Sequence, residues 1–289
     1  MSFADLDLNR NLARLDAFRK FKNYLALSIL WLLAVLAILP LGLVLIYVLR
    51  QGIPALNLDF FTQLPTPVGQ SGGGMANALV GSMVLMALSS FMGVPIGIAA
   101  GIFLAEYQHS RLALYLRFAN DILTSIPSIV IGLFAYAFVV VPMRGFSAHA
   151  GGVALAIIMI PIIARTTEEI LKLVPQHIRE AGLALGIPRW KVIIEIVVLR
   201  AGMAGVLTGV MLAVARIAGE TAPLLFTAFN NRFWASSLSQ PIASLPIQIY
   251  TYAVSPFADW QSQAWAAALV LVLFVLGLNL FVRLVFARR

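Results

Sequence analysis

Six long runs without a charged residue constrain this chain more than any other feature. A helix needs about 20 apolar residues to cross the roughly 30 Å hydrocarbon core of a membrane, and each run is that long or nearly so. Charged residues make up only 11% of the chain, against about a quarter in soluble domains. We therefore predict an all-α integral membrane protein with six transmembrane helices. The runs are Tyr24–Leu49, Met75–Ala105, Ile122–Val141, Gly145–Ala164, Ala201–Ala215 with its continuation past Glu220, and Ala264–Val282.

The lysines and arginines predict which side of the membrane each loop faces. Positively charged loops stay in the cytoplasm, and 16 of the 20 basic residues lie on the side that holds both termini. Both termini are therefore predicted to be cytoplasmic, with 1–23 a cytoplasmic segment and 24–289 a transmembrane domain in the inner membrane. The net charge of +8 then follows from topology. This positive charge is therefore consistent with a protein surrounded by membrane lipid, and it does not indicate a nucleic-acid partner.

Several kinds of chemistry have no residues to support them. The absence of cysteine excludes disulfides and thiolate metal sites. The three histidines, His109, His149 and His177, lie far apart and show no metal-ligand spacing. No phosphate-binding loop of the form G-x-x-x-x-G-K-[ST] occurs. We expect no catalytic residue, no metal site and no cofactor bound by this chain.

Arg216 and Glu220 are the exception to the apolar character of the fifth run. A charge at the centre of a bilayer costs at least about 2.5–3.5 kcal/mol, and residues four apart share one helix face and can neutralise each other. The pair is therefore either a structural contact or part of a path for an ion or anion, which intramembrane charges often mark. A helix starting near Arg200 would place Arg216 about 24 Å along its axis, past the midplane.

Two segments between the runs are long enough to have structure of their own. Residues 165–200 form a basic cytoplasmic loop, and Arg165 with Glu168 at its start is either a second anion contact or a solvated helix end. Within it a short helix, Gln176–Leu185, begins after Pro175 and ends at Gly186. This helix either enters a groove on another protein or lies on the membrane surface. Residues 221–263 form an outer loop whose aromatic side chains predict an interfacial belt.

The sequence "EAGLALG" within the short helix resembles the EAA loop of ABC-importer permeases. Glu180, Ala181, Gly186 and Ile196 match that motif, whereas Gly182 replaces its second alanine. Val198-Leu199 replaces its final Leu-Pro. The resemblance implies a type I ABC importer permease fold. It also implies that the helix docks on an ATP-binding subunit, through Glu180, Ala181, Gly182, Leu185 and Gly186.

Four stretches, one of which contains this motif, are similar to the PstA-type permeases of phosphate importers. This resemblance implies a permease subunit that carries inorganic phosphate, with Arg216, Glu220, Arg165 and Glu168 along the substrate path. It also implies three partners: a dimer of ATP-binding subunits that holds ATP and Mg²⁺, a second homologous permease, and a periplasmic phosphate-binding protein. The stretches are "GIFLAEY" (Gly101–Tyr107), "IPSIVIGLFAY" (Ile126–Tyr136), "REAGLALGIPRWK" (Arg179–Lys191) and "ARIAGETAPLLFTAFNNRFW" (Ala215–Trp234).

Two alternatives remain open from the sequence. The anion could be phosphonate, molybdate or sulfate instead of phosphate. The chain could also be a stand-alone channel or an ion-coupled carrier, although such a carrier has no need of an ATPase docking helix. In each case the chain itself is predicted not to be an enzyme.

Overall fold

The computed structural model describes residues 3–286 with the exception of residues 69 and 71. Every regular element within these residues is a helix. The chain divides into two compact units, residues 1–50 and 51–289. The α-helices are α1 (Phe3–Gly52), α2 (Leu58–Thr62), α3 (Ala76–Glu106), α4 (Arg111–Ser125), α5 (Ser128–Ala135), α6 (Val141–Met143), α7 (Ala148–Lys172), α8 (Gln176–Ala184), α9 (Arg189–Lys191), α10 (Met203–Ala218), α11 (Ala222–Leu225), α12 (Leu245–Ala253) and α13 (Ala258–Phe286).

The six predicted spans are present, five as single candidate spans and one as a bent pair of helices. Five stretches of the described residues are long and apolar enough to cross a membrane. The bent pair formed by α4 and α5–α6 is the sixth if it is counted as one span. Two π-helical segments, Tyr136–Val140 and Val192–Gly202, continue α5 and precede α10. The single candidate spans are Phe18–Ala55, Ala76–Glu106, Ala148–Lys172, Arg189–Ala218 and Ala258–Phe281.

The third span differs most from its prediction as one run over Ile122–Val141. It begins earlier, at Arg111, and the two helices that form it meet at 105°. Ile126 and Pro127 are both extended, with ψ of 131° and 136°. Proline lacks the N–H that a helix needs and disfavours the helical conformation of the residue before it. Pro127 therefore breaks this span.

Glycines bring three helices of the bundle into close contact. On α3, Gly97 faces α7, where an added Cβ would lie 2.8 Å from the Cβ of Ile163. On α10, Gly209 faces Thr166 of α7, where an added Cβ would lie 2.7 Å from the Thr166 Cβ. Small residues allow helix backbones to approach closely in a membrane. α7 is thus packed between α3 and α10, and these glycines have a packing role.

The segment predicted as an outer loop, 221–263, is largely packed into the bundle. It contains α11 and α12, and Leu224, Thr227 and Ile247 are buried. The predicted aromatic belt is wrong for Tyr252 and Trp260, which are buried and stacked with ring centroids 4.4 Å apart. Helix periodicity turns some of the aromatic side chains towards the core, a distinction that composition alone does not make.

Candidate functional site

Arg216 and Glu220 lie where helix α10 stops. The helix ends at Ala218 and Gly219 follows as its cap, so Glu220 lies outside the helix. The Glu220 N–H still donates a hydrogen bond to the Ile217 carbonyl at 3.1 Å. The predicted pairing is present, because Arg216 Nη2 lies 3.6 Å from Glu220 Oε1. The predicted continuation of the helix past Glu220 is wrong, since glycine is a strong stop signal near a helix end.

The Arg216 guanidinium keeps its N–H donors available. A separation of 3.6 Å is too long for a hydrogen bond, and this guanidinium has no hydrogen-bond partner in the part of the chain that the structure describes. The Arg216 side chain is 58% exposed, whereas that of Glu220 is only 14% exposed. Arginine presents five donors in a planar fork that fits two oxygens of a phosphate or carboxylate. The geometry can therefore receive an oxyanion in front of Arg216.

A small groove of about 90 Å³ lies beside this arginine. It is lined by the end of α4, the start of α5 and the middle of α7, including Thr124, Ser128 and Pro161. Pro161 is close to the midpoint of the 25-residue α7, so Arg216 lies near mid-depth in the bundle. The predicted position of Arg216 past the membrane midplane stays a prediction. The break at Pro127 opens the groove.

Arg165 forms a cluster with two carboxylates next to this groove. Its guanidinium lies 3.1 Å from Glu169 of the same helix and 3.3 Å from Asp121 of α4. All three side chains are mostly exposed. Arg165 follows Pro161 by four residues, so it lies about 6 Å further along α7. Two arginines with exposed guanidinium groups are therefore found about one helical turn apart in depth.

Glu168, which was expected to act together with Arg165, has different partners. It is buried, and its Oε1 accepts hydrogen bonds from Arg117 Nε at 2.7 Å and Lys172 Nζ at 2.5 Å. Lys172 follows Glu168 by four residues, so the sequence contained a signal for that contact. Arg117 is 51 residues away and no sequence spacing pointed to it. The structure thus separates Glu168 from the exposed groove.

Helix α8 has the form predicted for the docking segment. Pro175 precedes its first residue, Gln176, and Leu185 caps its end. Gly186 adopts a φ of +76°, in the left-handed region that favours glycine. The Gly186 N–H donates to the Leu183 carbonyl at 2.9 Å. The prediction that this helix ends at Gly186 is confirmed, and the left-handed conformation is the means by which it ends.

The predicted docking residues do not all face the same way. Glu180, Ala181 and Leu185 are exposed, and Leu185 is 80% exposed. Gly182 is buried instead, and a Cβ added there would lie 3.0 Å from Cγ2 of Val192. The expectation that Gly182 contributes to an outward surface is therefore corrected. The tight contact with Val192 explains why glycine occupies this position.

Further apolar side chains and a cavity surround this helix. Leu183 and Trp190 are exposed near its end. A cavity of about 780 Å³ lies between α8 and the ends of α3 and α7. Its lining includes Glu106, Lys172 and Arg179. Among the described residues no group of three or more His, Cys, Asp or Glu could hold a metal ion.

The sequence profile of one protein family matches residues 93–289, which is more than half of the chain. The family is described as "Binding-protein-dependent transport system inner membrane component". The chain belongs to this family of transport permeases. Its multiple candidate spans and its family place it as a multi-pass protein of the inner membrane. The resemblance carried by Glu180 and Gly186 is thereby confirmed.

Curated relatives of this transport permease share close to half of its residues over most of its length. "Phosphate transport system permease protein PstA" of Yersinia pestis is 47% identical over 286 residues, covering 99% of this chain and 97% of the relative. The protein of the same name from Haemophilus influenzae is 49% identical, covering 94% and 96%. That of Xylella fastidiosa is 51% identical, covering 83% and 84%.

A solved structure with the same fold is described as "Inward facing conformations of the MetNI methionine ABC transporter: CY5 native crystal form". It matches with a TM-score of 0.60 at 18% identity, covering 74% of this permease and 96% of the solved chain. At this identity the likeness concerns the fold alone. The predicted all-α, type I ABC importer permease fold is therefore confirmed, whereas the predicted cytoplasmic position of both termini stays a prediction.

Proposed function

We propose that this chain is a permease subunit of an ATP-driven importer that carries inorganic phosphate across the inner membrane. The observation that carries the proposal is 47% identity over 99% of the chain to a phosphate transport permease. The free donors of Arg216 supply matching chemistry, because a guanidinium fork binds phosphate oxygens. The chain is expected to contribute binding and movement, and no catalytic step.

Arg216 is the first residue to which we assign a role in transport. A largely exposed arginine near mid-depth would be costly against lipid, so its exposed side is expected to face a second, homologous permease across a shared path. Phosphate arriving on that path meets donors with no other hydrogen-bond partner. Glu220 competes for the same guanidinium and so limits how long the anion stays. Arg165 offers a second contact about one turn away.

Helix α8 is the element to which we assign energy coupling. Its exposed apolar residues and its left-handed stop at Gly186 support docking in a groove of an ATP-binding subunit. We expect a dimer of such subunits to bind ATP and Mg²⁺, and this chain to bind neither. A periplasmic phosphate-binding protein is expected to deliver the anion, consistent with the family's description.

The test is transport by the reconstituted assembly of this chain, a second permease, the ATP-binding subunits and the binding protein. We expect phosphate to stimulate ATP hydrolysis and to accumulate in proteoliposomes, while phosphonate, molybdate and sulfate do neither. A stronger response to one of the other oxyanions would replace phosphate as the substrate. Uptake by this chain alone, without ATP, would contradict the proposal and favour a channel or carrier.

A further inference from the structure

Arg179 of helix α8 is tied to the ends of two membrane spans. Its Nε and Nη2 atoms lie 3.0 and 2.9 Å from Oε1 of Glu106, the last residue of α3. Its Nη2 donates to the carbonyl of Leu171 in the last turn of α7 at 2.9 Å, and its Nη1 to the carbonyl of Val174, two residues after α7, at 2.6 Å. One side chain thus joins α8 to α3 and α7. The Arg179 and Glu106 side chains are 13% and 6% exposed.

Arg117 makes the reciprocal contacts from helix α4. Its Nε donates to Glu168 of α7 at 2.7 Å, and its Nη2 donates to the Leu104 carbonyl of α3 at 3.1 Å. Arg179 therefore holds a carboxylate of α3, one carbonyl of α7 and one just after it, while Arg117 holds a carboxylate of α7 and a carbonyl of α3. Together they cross-link the ends of α3, α4, α7 and α8.

The cross-linked ends continue into tightly packed helices. The glycine contacts of Gly97 with Ile163 and of Gly209 with Thr166 leave little space between α3, α7 and α10. Packed interiors transmit displacement because they contain few voids and are hard to compress. A movement of α8 held by Arg179 would therefore reach α7 near Pro161, beside Arg216.

We propose that Arg179, held by Glu106, is the positioning residue that makes α8 move as one body with α3 and α7, so that a displacement of α8 is transmitted to the groove at Arg216. The proposal rests on the proposed function, in which a partner ATPase displaces α8. Stability alone gives little reason for such a pair, because apolar residues of similar size often stabilise a protein equally well. The arginine fork is the only feature of this contact that binds a carboxylate and two helix ends at once.

Two substitutions should remove the positioning role of Arg179 while changing the side-chain volume little. Glu106→Gln removes the charge that holds Arg179, and Arg179→Lys keeps a positive charge but loses the fork. Lys191→Gln is the matched control, since the Lys191–Glu195 pair is exposed and 3.9 Å apart near the same helix. All three variants are compared in the complete assembly at equal membrane abundance.

The decisive quantity is the number of phosphate ions taken up per ATP hydrolysed. Coupling free energies between sites correspond to about 5- to 150-fold effects, so we expect Glu106→Gln and Arg179→Lys to lower this ratio at least about fivefold. ATP hydrolysis and subunit assembly should be retained, and Lys191→Gln should have the wild-type ratio. An unchanged ratio in Glu106→Gln would overturn the proposal. So would a loss of uptake and hydrolysis in parallel, which indicates a structural role only.

A second measurement does not depend on transport. Because this chain has no cysteine, spin labels at His109→Cys and His177→Cys add one defined distance, between α8 and the connection that follows α3. We expect a narrow distance distribution in the otherwise unsubstituted assembly and a broad one with Glu106→Gln. Distance distributions of equal width would contradict the claim that the Arg179–Glu106 contact holds α8 in place. Failure of the proposed function would instead show in the unsubstituted chain, as absence of phosphate-stimulated hydrolysis.

Discussion

At the scale of single residues, Arg216 of α10 combines a permanent charge with an exposed guanidinium. It lies beside the middle of the neighbouring helix α7. Its ion pair with Glu220, the one it makes among the described residues, is too long for a hydrogen bond. A purely structural pair would be expected to close this distance and bury both partners, because an unpaired buried charge is strongly destabilising. The open geometry therefore favours the interpretation of the pair as part of an anion path.

Replacing Arg216 tests that interpretation. Arg216→Gln removes the charge and the fork, so phosphate uptake should fall at least about 100-fold while the assembly forms normally. This loss corresponds to about 2.7 kcal/mol, within the range for removing a hydrogen bond to a charged group. Uptake of radioactive phosphate at matched membrane abundance gives the answer. Near-normal uptake would show that the arginine is not needed for transport.

Substitutions of Glu220 distinguish an anion path from a purely structural ion pair. Glu220→Gln leaves Arg216 without its competitor, so phosphate should be held longer and uptake should fall although the protein folds. The double variant Arg216→Leu, Glu220→Leu should not restore uptake. If it transports phosphate normally, the pair is a structural contact and the assignment is wrong. Phosphate uptake and membrane abundance are measured together for all three variants.

At the scale of elements, helix α8 depends on the backbone conformation of one glycine. The exposed face of α8 includes Ala181 and Leu185, and the turn at Gly186 decides where the chain goes next. A residue with a side chain in the left-handed region costs about 1–3 kcal/mol. A Cβ added at Gly186 would meet no described atom within 4 Å, so the cost of a substitution there is conformational and not steric.

We expect Gly186→Val to detach or uncouple the ATP-binding subunits while the protein still inserts into the membrane. The matched control is Gly145→Ala, where an added Cβ also meets nothing within 4 Å but φ is not in the left-handed region. Co-purification of the ATP-binding subunits and phosphate uptake check both variants. Full retention of coupling in Gly186→Val would remove the basis for assigning α8 as the docking helix.

Most of the elements could be predicted from the sequence, and the exceptions have local causes. The spans follow from uncharged runs, and α8 follows from Pro175 and Gly186 with an error of one residue at its end. The break at Pro127 could not be predicted from the uncharged run Ile122–Val141, because sequence shows a proline without showing whether its neighbours can restore the helix. The partner of Glu168 could not be predicted, since Arg117 becomes adjacent only after α4 folds back on α7.

At the scale of the whole molecule, the distribution of basic residues predicts which side of the membrane the termini face, which the fold alone does not determine. A reporter fused after Arg289 should be cytoplasmic, and one inserted near Gln240 should lie outside, because 16 of the 20 basic residues lie on the side of the termini. Alkaline phosphatase is active only outside and green fluorescent protein only inside, so paired fusions give opposite signals. Reversed signals would place α8 on the outer side, where no ATPase can dock.

The end of α10 within the bundle also has an electrostatic consequence for the anion. The last carbonyls of a helix carry about half a negative charge, and this end is one turn or less from Arg216. An anion at the guanidinium is thus attracted by the arginine and repelled by both the helix terminus and Glu220. Phosphate binding to the two permeases alone should therefore be weak, with no saturation at micromolar concentration in equilibrium dialysis. A tight site there would mean that the repulsion is screened, and rapid release would then need another cause.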